Sequence, residues 1–293
     1  MTAKIISGKQ IAVEIREELK LRAAGLKKKG IIPALAVVLV GDDPSSVSYV
    51  MGKAKGAAEV GILGETIRLP GATSEMEVLK IVDELNVDPK YHGILVQLPL
   101  PKHIDSEFII SRISVEKDVD GFHPTNVGKL LRGEPCPLPC TPHGIQELLI
   151  RSGNDPGGKH VVICGRSNLV GKPLAGILMQ KAKGANATVT LCHTGTKDIS
   201  YFTRQADILV AALGIPLFVK AEMIKDGAVV IDVGVNRVED KTQVKGYRLI
   251  GDVDFEKVKE KASAITPVPG GVGPMTVTML LMNTIDAAQR NLN

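Results

Sequence analysis

The sequence predicts an α/β protein made of two βαβ domains with parallel sheets and a cleft between them, and three observations carry that expectation. Short apolar, β-branched runs alternate with stretches of helical periodicity along most of the chain, the pattern of parallel strands joined by crossover helices. The alternation breaks once, between Gly121 and Pro142, where Pro124, Pro135, Pro137, Pro139 and Pro142 interrupt any regular element. After the break a second alternating series begins. With 293 residues, 44% of them hydrophobic, each half can bury its own core.

The elements follow in order. Ser7 with Gln10 three positions later forms a capping-box pattern, and Ile11, Ile15, Leu19, Ala23 and Leu26 then recur at helical spacing up to Gly30. ALAVVLVG after Pro33 reads as a strand buried on both faces. Pro44 to Val60 reads as a helix, LGETIRL as a strand, Ser74 to Leu85 as a capped helix and GILVQLP as a strand. Beyond the proline-rich stretch come a helix from about His143 to Ser152, the strand KHVVICG and a helix through Leu174 to Lys181. The strands ATVTLC, ADILVAAL and GAVVIDVG follow, and a helix opens at Gly273. Its apolar content suggests that it docks back onto the first domain, so the expected domains are 1–140 with 274–293, and 141–273.

Composition narrows the function classes. The formal net charge is +4, with basic and acidic residues interspersed, which favours small anionic partners over nucleic acid. At 3% aromatic residues and no Trp, stacking platforms for single strands are scarce. No apolar run reaches the ~18 residues of a spanning helix, and the start lacks a secretory pattern, so no membrane partner and a cytoplasmic location are expected. Four cysteines form no disulfide framework, and Cys136 and Cys140 have no second pair for zinc, so no metal is expected.

VVICGRSNLVGKPLAG, Val161 to Gly176, runs a buried strand through a glycine turn into a helix, which aims backbone N–H groups at a phosphate in the Rossmann manner. Gly165, Arg166 and Ser167 stand in the turn. The next strand ends in Leu191, Cys192, His193 and Thr194, without the carboxylate that would meet the ribose of NAD, while the Arg166 guanidinium can fork onto a 2′-phosphate. NADP is therefore the expected cofactor, with His193 and Thr194 as candidates for the same phosphate and Val235, after the strand GAVVIDVG, as a wall for a ring. Asp232 and Asn236 read equally well as turn-formers.

In the first domain Tyr49 and Lys53 stand at i and i+4 on one helical face. Gln97 is a polar side chain closing an apolar strand, so it either caps the strand or faces a ligand, and Asp118 and Asp120 follow in EKDVDGFHP. The loop TPVPGGVGPMT lets backbone approach a flat ligand through Gly270, Gly271 and Gly273, or serves as a rigid turn.

SYVMGKAKGA, GILVQLPLP, EKDVDGFHP, VVICGRSNLVGKP and ITPVPGGVGPMTVTMLL resemble, in order, the defining motifs of the methylenetetrahydrofolate dehydrogenase/cyclohydrolase (FolD) family. The resemblance spans essentially the whole chain; KAKGANATVT is slightly longer than the family pattern. It implies oxidation of 5,10-methylenetetrahydrofolate with NADP and hydrolysis of the methenyl product to 10-formyltetrahydrofolate, in one-carbon metabolism and purine biosynthesis. It implies a folate-binding first domain, an NADP-binding second domain and a homodimer. Residue by residue, Lys53 matches the catalytic lysine, Tyr49 its partner, Gln97 the glutamine that contacts the lysine and Asp120 the pterin-gripping aspartate, with Asp118 a turn residue. In the loop TPVPGGVGPMT, Pro269 and Gly271 are candidate substrate contacts, the alternative being the rigid turn. Two other readings stay open: an NADP-linked dehydrogenase of another small substrate, such as a shikimate-type enzyme, and a non-catalytic folate- or nucleotide-binding module.

Overall fold

A computed structural model describes residues 2–240, 242–243 and 246–290. The chain opens with a short strand β1 (Lys4–Ile5) and the helix α1 (Gly8–Lys28), where Gln10 N–H donates to Ser7 Oγ at 3.3 Å. Then come β2 (Ala34–Val40), α2 (Pro44–Val60), β3 (Leu63–Leu69), α3 (Glu75–Val87), β4 (Gly93–Val96), α4 (Ser106–Arg112) and α5 (Pro124–Arg132). The later elements are α6 (Cys140–Arg151), β5 (His160–Cys164), α7 (Gly171–Leu178), β6 (Thr188–Cys192), α8 (Ile199–Thr203), β7 (Ile208–Ala211), β8 (Val229–Asp232), β9 (Asn236–Glu239), β10 (Tyr247–Ile250), α9 (Phe255–Val258), β11 (Ala264–Ile265) and α10 (Val272–Arg290). No helix among the described residues is long and apolar enough to cross a membrane.

The chain divides into two compact units, one of Val13–Cys140 with Val277–Asn293, the other of Met1–Ala12 with Thr141–Thr276. In the first, β2 lies between β3 and β4 in a parallel sheet, with Val37 opposite Thr66 on one side and Leu95 on the other. All seven residues of β2 are buried, which is why its sequence is an unbroken apolar run. Val38 and Ile94 pack with Val78, Val82 and Leu85 of α3 and Ile109 of α4 in one core cluster. Asp43 caps α2 by accepting Ser46 N–H at 2.8 Å, and Gly61 closes it at φ 83°. The Ser74–Glu77 capping box opens α3.

The second unit is a six-stranded parallel sheet of order β1-β11-β8-β7-β5-β6, with the antiparallel pair β9–β10 outside it. The chain passes from β5 to β6 on one flank and then to β7 on the other, so the order reverses at β5. Such a reversal opens a crevice at the carboxyl edge, where α/β proteins bind ligands.

Three expectations need correction. The first twelve residues group with the 141–276 unit, because Lys4 and Ile5 pair with Ala264 and Ile265 of β11, a contact across the sequence that no local pattern announces. The proline-rich stretch is not devoid of regular structure: Pro124 sits in the first turn of α5, where its missing N–H costs nothing. The helix expected at 174–181 starts at Gly171 and ends at Leu178.

Candidate active site

Within the 13–140 unit, α2 buries Ser46, Val50, Lys53, Gly56, Ala57 and Val60, a stripe at helical spacing that carries Lys53 inward. A β-carbon at Gly56 would meet Leu281 and Val277 of α10 at 3.2 and 3.3 Å, so the small residue lets the two helices approach. Lys53 is only 8% exposed, and its Nζ donates to Gln97 Oε1 at 2.8 Å. Gln97 is itself buried, keeps its backbone N–H on Val38 O and donates its side-chain N–H to Leu98 O at 2.6 Å. Of the two alternatives read for this glutamine, the strand-end role is the one its Val38 and Leu98 bonds describe, and its side-chain carbonyl faces Lys53. Tyr49 lies on the same helix with 44% of its surface exposed, outside the buried stripe.

The aspartate pair divides sharply. Asp118, 1% exposed, accepts N–H groups from Gly121 (3.0 Å), Phe122 (3.3 Å) and His123 (2.8 Å) and the Asn126 amide (2.9 Å). Its carboxylate thus shapes the loop. Gly121 takes φ 77°, and a β-carbon there would stand 2.6 to 2.9 Å from the backbone of Pro137, Leu138 and Pro139. Asp120 is left as the half-buried carboxyl of the loop. Burial pushes its pKa up, the Lys53 charge pulls it down and Asp118 pushes it up again.

Two residues here escaped the sequence reading. The Cys140 thiol, fully buried, hydrogen-bonds the Asp120 side chain and lies 3.4 Å from Val119 O, and burial lifts its pKa well above the ordinary thiol value. Asn283, in the apolar stretch of α10, donates to Val119 O at 2.8 Å and Leu138 O at 2.9 Å, pinning the residue before Asp120. A lone Asn among buried apolar neighbours was the available signal.

The 141–276 unit holds the other predicted residues. Gly165 ends β5 at φ 129°; a β-carbon would stand 2.1 Å from Ala212 O, and one on Gly171 would stand 1.9 Å from Gly165 O. The two glycines let the turn and the start of α7 fold tightly against β7. Arg166 and Ser167 are exposed, with Ser167 Oγ accepting Val170 N–H at 3.1 Å. Thr194 is exposed after β6, whereas His193 is engaged in its own turn, accepting Gly195 N–H at Nδ1 at 3.0 Å. Val235, 48% exposed, follows β8 at the same carboxyl edge. Pro269 is exposed, while Gly271 is buried with its carbonyl 1.8 Å from where a β-carbon of Gly8 would sit. That contact requires glycine at position 8; at 271 a β-carbon would itself stand 2.6 Å from Pro267 O and 2.8 Å from Thr266 Cβ, so packing requires a glycine there too.

Comparison with known proteins bears on both units. Residues 6–120 match the family model described as tetrahydrofolate dehydrogenase/cyclohydrolase, catalytic domain, and residues 139–292 match that of its NAD(P)-binding domain. The chain is 59% identical over 291 residues to the bifunctional protein FolD of Dehalococcoides mccartyi (strain CBDB1), covering 99% of this chain and 98% of that one. It superposes on the bifunctional FolD methylenetetrahydrofolate dehydrogenase/cyclohydrolase of Campylobacter jejuni with a TM-score of 0.93 at 47% identity, covering 99% of each chain. It superposes on the Trypanosoma brucei N5,N10-methylenetetrahydrofolate dehydrogenase-cyclohydrolase, complexed with NADP cofactor and inhibitor, with a TM-score of 0.94 at 41% identity, covering 100% of this chain and 99% of that one. A buried lysine held by a strand-end glutamine in one unit, a glycine turn at a sheet reversal in the other, and full-length matches in both lead to one assignment: the chain belongs to the tetrahydrofolate dehydrogenase/cyclohydrolase family and is a bifunctional enzyme of it.

Proposed function

We propose that this enzyme oxidises 5,10-methylenetetrahydrofolate to the 5,10-methenyl form with NADP and hydrolyses that product to 10-formyltetrahydrofolate, using Lys53, Tyr49, Gln97 and Asp120 for the folate and Gly165, Arg166, Ser167, Thr194 and Val235 for the cofactor. The observation that carries the reading is the 2.8 Å bond from Lys53 to Gln97 in a buried setting. The residues of the turn fit a dinucleotide: Gly165 and Gly171 bring no side chain of their own to it, and Arg166 is exposed beside them. Bound there, the cofactor supplies the hydride acceptor.

The chain's own groups then do the following. Asp120 accepts the paired N–H donors of the pterin edge, and Tyr49 adds contact surface. Loss of hydride leaves a methenyl cation delocalised over two nitrogens. Water adds to its carbon, a proton passes to Lys53, and one C–N bond breaks to open the ring, the departing nitrogen taking a proton. Gln97 orients Lys53 without adding charge. Gly271 enters through the backbone, where it shapes the turn.

The chemistry and the family resemblance further support a cytoplasmic homodimer whose 10-formyl product serves purine biosynthesis. The mixed surface charge and few aromatics favour tetrahydrofolate derivatives, and neither nucleic acid nor membrane, as partners. The deciding assay follows absorbance with 5,10-methylenetetrahydrofolate and NADP or NAD, then with methenyltetrahydrofolate alone. Reduction of NADP together with accelerated hydrolysis is the expected result. A folded, cofactor-binding protein that gives neither signal overturns the folate assignment.

A further inference from the structure

Two buried carboxylates of the 141–276 unit, Asp232 at the end of β8 and Asp252 after β10, have no role in the chemistry above. They are 3% and 0% exposed. Asp232 Oδ1 accepts the N–H of Gly234 and of Asp252, both at 2.9 Å, and Oδ2 accepts that of Val253 at 3.0 Å. Asp252 in turn accepts, at Oδ2, the N–H of Leu213 at 2.6 Å and Gly214 at 2.9 Å, and at Oδ1 the Asn236 amide at 2.9 Å. Glycines close the assembly: a β-carbon on Gly251 would fall 1.8 Å from Asp232 Oδ2 and one on Gly234 2.2 Å from Asp252 Oδ1.

What this cluster holds matters more than its own burial. Leu213 and Gly214 form the turn after β7, the strand between β5 and β8. Ala212, just before them, packs against Gly165 of the glycine turn, and Gly234 leads directly to Val235. The crevice of the sheet reversal lies between β5 and β7, so the Leu213–Gly214 turn is one of its walls. Segment 251–254 braces the same loop further along through Leu217 N–H to Gly251 O at 3.1 Å and Val219 N–H to Asp252 O at 2.9 Å.

We infer that Asp252, seated by Asp232, is a positioning residue that fixes the β7 and β8 turns against the bound dinucleotide. The inference rests on the cofactor assignment above. Asp252→Ala leaves two N–H groups and the Asn236 amide without their acceptor, and is expected to raise the KM for NADP ~10-fold or more, an unmade buried hydrogen bond being worth about a tenfold factor each. Hydrolysis of methenyltetrahydrofolate assayed without NADP, whose catalytic groups Lys53 and Gln97 lie in the other unit, stays within about twofold. Asp252→Asn keeps an amide oxygen for Leu213 and Gly214, and an Asn236 amide turned over can accept from the new N–H group, so the KM returns to within about threefold of wild type. Should Asp252→Ala fail to fold, Asn236→Ala is measured instead and raises the KM for NADP about threefold, with hydrolysis unchanged.

An unchanged KM in a folded variant overturns the inference. So does parallel loss of both activities, which marks a general brace, and so does an Asp252→Asn as impaired as Asp252→Ala, which marks charge and not hydrogen-bond acceptance. Wild-type protein that does not reduce NADP overturns the cofactor assignment itself and is seen before any variant is made.

Discussion

Lys53 Nζ donates to Gln97 Oε1 at 2.8 Å, and Gln97 cannot turn its amide over to release the lysine, because its nitrogen is engaged by the carbonyl of Leu98 at 2.6 Å. The acceptor facing the lysine is therefore defined by the strand end and not by a mobile side chain.

Replacing the lysine tests the chemistry placed on it. Lys53→Gln is expected to slow methenyltetrahydrofolate hydrolysis by ~10² to 10⁴, the usual span for a general base. Folate binding, followed by equilibrium titration, persists. Unchanged hydrolysis removes Lys53 from the mechanism.

Arg166 is the residue placed to tell the two nicotinamide cofactors apart. Arg166→Ala should raise the KM for NADP by roughly 10- to 100-fold, a charge-assisted fork to a phosphate being worth about that much, and leave the KM for NAD near its starting value. Steady-state kinetics with both cofactors decides it; equal effects on the two would place Arg166 elsewhere than at a 2′-phosphate.

Asp118 and Asp120 should fail in different ways. Asp118→Ala strands four donors in a buried loop and is expected to cost ~2–4 kcal/mol in urea unfolding. Asp120→Ala should leave the unfolding midpoint nearly in place and weaken folate binding at least tenfold. The reverse assignment of losses would exchange their roles.

Burial pushes Asp232 up to about 7, against three backbone N–H donors that pull it down, with the Asp252 charge adding to the rise. Since the folded value lies above the unfolded one, the proton favours the folded state. The gain is complete below the unfolded carboxylate pKa of ~4 and disappears as pH rises through about 7. Relative to Asp232→Asn, the wild-type Tm should therefore gain on the order of 5 °C between pH 8 and pH 5, measured by calorimetry. A parallel pH profile in the two proteins would show that Asp232 does not titrate in this window.

Much of the fold was legible because the signals are local. Residues 34–40 read as a buried strand since every position is apolar, and the helix of residues 44–60 is bounded by Asp43 and Gly61, whose capping roles depend on residues beside them. The short elements were not: β1, β11 and the β9–β10 pair owe their existence to partners far along the chain. The site divides the same way. Lys53 and Tyr49 share a helical face and Gln97 closes a strand, positions whose roles come from the resemblance, but Cys140 meets Asp120 across 20 positions, Asn283 meets Val119 across 164, and Asp252 reaches Leu213 across 39. Their sequence neighbourhoods say only that a buried polar group must find a partner, not which one.

The pairing of Lys4–Ile5 with Ala264–Ile265 also sets a timetable for synthesis. In the sheet β11 separates β1 from β8, so until the ribosome delivers residues 264 and 265 the first strand has nothing to join and β8 presents an unpaired edge. The 13–140 unit waits as well, because Val277 onward belongs to it. Neither unit can close on a nascent chain before these segments emerge, and both should acquire protease resistance only after they have.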